Sequence, residues 1–182
     1  NDDARDAFCA AKEITVKGEV SETVYLKRPF AQVNFCASDY ELLKDLGLHN
    51  GLMSEVKVYG LPDVLKVLDG SVSSASETSA TVDASFSLAD VPSGEDEYIT
   101  VKGNTYGYVA MNYVLATEIG ETVRTSARMV NGTDSWETSL IENVPVRRNY
   151  KTNIVGEMFA ENATLKIIVV PAFNIPDEVI PM

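Results

Sequence analysis

Few side chains in this sequence are of the kinds that carry covalent or metal chemistry. One histidine, His49, and two cysteines, Cys9 and Cys36, are all that 182 residues supply. A single histidine excludes H-E-x-x-H and leaves zinc sites and most nucleophilic triads short of members. His49 lies in Gly47–Gly51. Paired with Cys9 or Cys36 it would make a nucleophile and its base, yet no third, orienting group stands at a readable spacing, and it reads as a solvated turn histidine. The two cysteines permit one bridge in an exported protein, or are small buried hydrophobes in a reducing compartment; spacing alone leaves both open. Glu95, Asp96 and Glu97 could meet a hard cation such as calcium, but they lack the alternating ligand spacing of an EF-hand and read as an acidic loop. Paired carboxylates could hydrolyse glycosides, but among 27 Asp and Glu some pair always looks suggestive. No G-x-G-x-x-G follows a strand, and G-x-S-x-G is absent. The sequence thus assigns no catalytic, cofactor-binding or metal-ligating residue and predicts a protein that is not an enzyme.

The remaining chemistry is that of surfaces. Basic residues gather at Lys27–Arg28 and at Arg147–Arg148–Lys151, yet the formal net charge is −12 and the pI near 4.4. Such a chain repels phosphate backbones and anionic headgroups, so partners among nucleic acids and membrane surfaces are not expected. The arginines read as strand-end residues paired with carboxylates, or as stems lying over apolar surface. Tyr106, Tyr108 and Tyr113, with the single Trp136, could form a sugar-binding platform; strict alternation puts Tyr106 and Tyr108 on one sheet face and Tyr113 on the other, which favours packing. Asn131-Gly-Thr and Asn162-Ala-Thr match the N-glycosylation pattern, a match that also arises by chance.

The elements that must position these residues are strands. Apolar β-branched residues alternate with polar ones at Glu13–Val20, Thr23–Lys27, Glu55–Gly60 and Thr81–Leu88, the last being the cleanest. Phe30–Phe35 sets Ala31, Val33 and Phe35 against Gln32 and Asn34. Tyr106–Thr117 reads as a strand buried on both sides, Gly120–Glu121 as a hairpin turn into Thr122–Val130, and Asn131–Gly132 as a tight turn. Trp136–Asn143, Asn149–Met158 and Thr164–Pro171 complete the set. Ser38 and Glu41 form an S-x-x-E capping box for a short helix that Gly47 stops. Ser71–Ser79 reads as an exposed connection or edge strand. No run nears the roughly 18 apolar residues of a membrane span. Length and pattern predict one all-β domain, a two-layer β-sandwich with one or two short helices.

Two stretches carry more than composition: Val24–Phe35 (VYLKRPFAQVNF) and Asn143–Gly156 (NVPVRRNYKTNIVG). Together they resemble the fimbrillin-like, Mfa/FimA-type surface proteins of Bacteroides and relatives, in which an L-K-R-P-F-A-Q-x-N-F strand precedes a short helix and V-P-V-x-R-N-Y-x-T-N-I-x-G comes near the C-terminus. Ser38–Gly47 and Tyr106–Leu115 are similar to the family's helix and long central strand. Read physically, Arg28 before Pro29 demands extended chain, Asn149, Thr152 and Asn153 are suited to bonding backbone, and Gly156 permits backbone that side chains forbid.

The resemblance implies a transthyretin-like, Greek-key sandwich over residues 1–182, the C-terminal domain of a longer two-domain exported lipoprotein held at the outer membrane only by a lipid anchor. It implies a fimbrial shaft, anchor or tip subunit, with other subunits as partners joined by strand exchange. Thr164–Phe173 would be a final or donated strand, and Glu13–Val20 an early strand whose displacement opens a groove. Surface glycans or proteins of host or bacteria are further partners to expect; the alternative reading from the residues is a surface glycan-binding module whose platform is Trp136 and the tyrosines.

Overall fold

A computed structural model describes residues 6–73, 81–160 and 164–171. They form two five-stranded layers and one small hairpin. In chain order the strands are β1 (Phe30–Ala37), β2 (Met53–Leu61), β3 (Val64–Lys66), β4 (Ser71–Ser73), β5 (Val82–Asp90), β6 (Tyr98–Val101), β7 (Asn104–Leu115), β8 (Glu121–Asn131), β9 (Asp134–Glu137), β10 (Ile141–Val146), β11 (Tyr150–Gly156) and β12 (Leu165–Pro171), with one helix, α1 (Tyr40–Asp45), between β1 and β2. One sheet has the order β12-β11-β1-β7-β6. The other has β10-β8-β2-β5, with β9 paired to β8, while β3 and β4 pair with each other. The all-β sandwich expected from alternation is what the chain forms.

The core lies between the sheets. Ala31, Val33 and Phe35 of β1 and Ile154 of β11 meet Val56 and Val58 of β2, Val123, Ala127 and Met129 of β8, and Val144 and Val146 of β10, all buried. β8 obeys strict alternation, with Val123, Thr125, Ala127 and Met129 inward and Arg124 and Arg128 in solvent, as expected of a sheet wetted on one face. Thr125 and Thr152 are buried among these apolar groups because each hydroxyl donates to a backbone carbonyl, that of Lys57 at 2.7 Å and that of Pro145 at 2.6 Å.

The two stretches that carry the fimbrillin resemblance are each other's neighbours. β1 and β11 run parallel, from Gln32 beside Lys151 to Ala37 beside Gly156. Just ahead of this ladder, the Asn149 amide donates to the Phe30 carbonyl at 2.9 Å, and Arg28 donates to the Asn149 side chain at 3.1 Å. Asn149 has φ +64, a left-handed conformation that asparagine tolerates. A parallel pair cannot be closed by a tight turn, which is why partners in one ladder stand so far apart in sequence.

Several expectations are corrected. Glu13–Val20 has no sheet neighbour and is exposed throughout, because its apolar side chains find no second layer to cover them. Thr23–Lys27 holds only isolated pairings, one of them Lys27 with Cys9. The capping box is not made: Asp39 is the residue before the helix and no side chain caps it. The Asp39 carboxylate instead accepts the Met158 and Phe159 amides at 2.9 and 2.8 Å, and Glu41 accepts the Tyr98 hydroxyl. Gly120–Glu121 is no hairpin turn, since β7 and β8 lie in different sheets; the Glu121 carboxylate holds the crossing by accepting from the Thr117 amide and hydroxyl. Trp136–Asn143 splits into β9 and the start of β10. The turn at Asn131–Gly132 forms as read, with Asn131 opposite Asp134 and Gly132 at φ +58.

Candidate functional site

A β-bulge decides where the tyrosines go. Opposite β1, the register of β7 slips between Phe35, which faces Ala110, and Cys36, which faces Tyr108. The extra residue, Val109, inverts the alternation that follows it. Tyr113 therefore lies opposite Gln32 and Tyr108 opposite Cys36, on one outer face, and not on opposite faces as alternation alone predicts. There the Tyr108 hydroxyl donates to Asn34 Oδ1 at 2.9 Å, Asn34 Nδ2 donates to Asn153 Oδ1 at 2.8 Å, and Gln32 Nε2 donates to the Tyr113 hydroxyl at 3.1 Å. Asn153 Nδ2 donates on to the Ile168 carbonyl of β12 at 3.3 Å. Gln32, Asn34 and Asn153 are all buried. Polar groups out of water must be bonded, so this chain of amides and phenols locks β7, β1, β11 and β12 into one register. The network escaped the sequence reading; its trace was the polar Gln32 and Asn34 inside an otherwise apolar strand.

The outer face of this sheet curls far enough for both of its margins to line one hollow of about 400 Å³, with Ile99 and Val101 of β6 on one side and Val170 and Pro171 of β12 on the other. Lys151 lines it too. Both margins are open among the described residues, since β12 bonds only β11 and β6 only β7. β12 is an apolar run, Leu165-Lys-Ile-Ile-Val-Val-Pro171, whose Ile167, Ile168, Val169 and Val170 are all half-buried. β5 is one margin of the other sheet, with Val82 and Leu88 each 40% exposed, and β10 is the other. An open margin presents a row of backbone donors and acceptors ready to pair with another strand.

The residues singled out for covalent chemistry stay apart. His49 borders a hollow with Lys44, Asp90 and Glu97 that neither cysteine lines, and its Nδ1 is buried with no hydrogen-bond partner among the described residues. Cys36 is fully buried on the outer face of β1, where burial pushes its thiol up to about 12, and Cys9 sits beside Lys27; both thiols are free. Glu95, Asp96 and Glu97 belong to a short 3₁₀ turn and its end, and Glu97 accepts from Lys44 at 3.2 Å. Among the described residues no three His, Cys, Asp or Glu side chains converge as metal ligands would. Trp136 stands on β9 in the other sheet, its ring set edge-on to Phe159 at 5.3 Å, so Trp136 and the tyrosines make no common platform. Asn131 is engaged, its amide donating to the Leu48 and Asn50 carbonyls. Asn162 lies outside the described residues.

The basic residues, by contrast, are brought together. Lys27 and Arg28, ahead of β1, meet Arg147 and Arg148, between β10 and β11, around a third hollow of about 300 Å³ completed by Glu118, Asn149 and Tyr150. The paired-arginine reading holds for Arg28, which grips the Asp6 carboxylate through Nε and a terminal nitrogen at 2.5 Å. Phe8 lies over the same guanidinium at 4.6 Å.

The sequence profile of a family of unknown function, DUF6562, matches residues 1–181. The chain belongs to DUF6562. No curated protein sequence matches it. Among solved structures, this DUF6562 chain is similar to a candidate cell adhesion protein from Bacteroides uniformis at 9% identity and TM-score 0.44, over 94% of this chain and 68% of that one. It is also similar to a fimbrial protein from Bacteroides vulgatus at 10% identity and TM-score 0.34, over 82% of this chain and 56% of that one. Likenesses this slight say nothing of what the DUF6562 chain does. No helix among its described residues is long and apolar enough to cross a membrane.

Proposed function

We propose that this DUF6562 chain is a non-enzymatic, fimbrillin-like protein of the cell surface, a structural or adhesive subunit that joins its neighbours through strand pairing. The observation that carries the reading is the margin of β12: an apolar strand bonded on one side only among the described residues, at the rim of a curled sheet whose other rim is open as well. An incoming strand would satisfy the row of backbone groups along that margin and seat alternate side chains in the hollow beside Ile99 and Val101. The fimbrillin-like motifs support the same reading, because they build the centre of this sheet and not a reactive cluster. The expected strand at Thr164–Phe173 runs from Leu165 to Pro171, and residues 172 and 173 lie outside the described residues.

The test is the concentration dependence of mass by light scattering. The chain should form oligomers. Deletion of residues 164–182 should abolish them, and Ile168→Lys should weaken them while leaving the circular dichroism spectrum intact. A chain that stays monomeric at millimolar concentration, or that assembles as well with Ile168→Lys as without, overturns the reading.

A further inference from the structure

The hollow lined by Lys27, Arg28, Arg147 and Arg148 has a property that strand pairing does not use. Four of the chain's fifteen Lys and Arg line it, on a molecule whose formal charge is −12. Among the described residues, Lys27, Arg28, Arg147 and Arg148 are met by two carboxylates, Glu118 in the wall and Asp6 behind Arg28, which leaves a local excess of two positive charges among them. Gathering like charges costs free energy unless something of opposite sign offsets it.

The four cations divide into a fixed pair and an available pair. Arg28 is held by Asp6 and Asn149. Arg148 donates to the Arg28 and Gly70 carbonyls, both at 2.8 Å. These two supply a rigid positive field. Arg147 is different: it is exposed, its Nε donates to the Glu118 carbonyl at 2.9 Å, and its guanidinium lies 4.7 Å from the centre of the Tyr150 ring. The ring contact and one bond orient the group, while its two terminal nitrogens make no hydrogen bond among the described residues. Lys27 has one loose ion pair, with Glu118 at 3.8 Å. A planar guanidinium anchored through Nε, with its terminal nitrogens turned to no other described group, is suited to a carboxylate's two oxygens.

We infer that this hollow binds one carboxylate-bearing sugar residue, a uronate or a sialate. Its size is at the low end of small-molecule pockets and suits a single ring. The Tyr150 ring offers an apolar wall, and the Glu118 carboxylate and Asn149 amide offer partners for hydroxyls. A polyanion would have to cross the acidic remainder of the surface, whereas a monoacid places its only charge in the hollow. The inference does not rest on subunit assembly.

The test is titration of the full chain by calorimetry at low salt with glucuronate, N-acetylneuraminate, glucose, sulfate and an acidic hexapeptide. Saturable binding of either acidic sugar, absent with glucose and lost about tenfold in Arg147→Gln, is expected, since a charge-assisted pair is worth at least that factor; which acid binds identifies the sugar. Lys27→Gln should weaken binding less. Arg124→Gln, on the far sheet, should leave it unchanged, and the unfolding midpoints of all three variants should match the parent. Binding of glucose equal to glucuronate, a hexapeptide or sulfate preferred over both acidic sugars, no binding of either acid, or no loss in Arg147→Gln would each overturn the inference.

Discussion

β1 and β5 are the two segments where apolar and polar residues alternate most plainly, and they meet opposite fates. β5 (VDASFSLAD) has the cleaner pattern, yet it sits at a sheet margin with Val82 and Leu88 40% exposed and only Ala84, Phe86 and Ala89 half-buried. In β1 (FAQVNFCA), every residue after Phe30 is buried, the polar Gln32 and Asn34 included. Alternation reports that a strand has two unlike faces. Whether either face is covered depends on how many strands flank it and on what lies above them. β1 is the middle strand of a curled sheet, with a second sheet on one face and tyrosine phenols bonded to its amides on the other. β5 has one neighbour.

That contrast can be broken by measurement. The largest effect should come from Phe35→Ala in β1, which is fully buried and should lose about 4 kcal/mol of unfolding free energy in urea titration. A loss under about 1.5 kcal/mol would mean that β1 is not the centre of the core. Next comes Gly107→Ala in β7, where an added Cβ would lie 2.1 Å from the Tyr40 ring. Overpacking there should cost about 3 kcal/mol, and Tyr40→Ala should relieve most of the added strain in a double mutant.

Asn34→Ala should cost about 2 kcal/mol, because it removes a buried acceptor from the Tyr108 hydroxyl and the buried donor to Asn153 Oδ1. If Asn34→Ala is neutral, the outer face of β1 is wetter than its burial implies. Alkaline unfolding sharpens the same point. Burial raises Cys36 from 9.0 to about 12, and burial with the Glu97 charge raises Tyr40 from 10.0 to about 12. The folded state holds these protons more tightly than the unfolded chain. Their contribution is therefore complete below pH 9 and drains away as pH climbs through 12. Cys36→Ala should lose less stability across that window than the parent does, whatever its stability at pH 7. Thiol labelling should find Cys9 fast and Cys36 blocked until unfolding.

The smallest effects belong to β5. Phe86→Ala should cost about 1 kcal/mol, since its ring packs only partly against the core, and Leu88→Thr, at an exposed position, within about 0.5 kcal/mol. An equal cost at Phe35 and Phe86 would erase the distinction between the two strands.

Much of the fold was legible in the residues. β-branched alternation marked the longer strands but missed the short β3 and β6 and ran β9 and β10 together, and the Asn131–Gly132 turn followed from backbone chemistry that acts within four residues. Glu13–Val20 shows the limit: it alternates like a strand, but it is exposed and pairs with no strand among the described residues. The capping box failed for a related reason, since Glu41 found the Tyr98 hydroxyl from a strand 57 positions later, a competitor that local pattern cannot register.

Composition and period settled what is decided locally: an acidic, β-rich chain with one histidine, built of strands with two distinct faces. Tertiary structure alone decided the rest. The parallel pairing of β1 with β11, the slip at Val109 that puts Tyr108 and Tyr113 over one face, and the meeting of Lys27–Arg28 with Arg147–Arg148 all join residues far apart in sequence. Such pairings depend on the packing of the whole sandwich, because a bulge or a crossing between sheets redirects every side chain beyond it, whereas local periodicity carries only the preferences of neighbours.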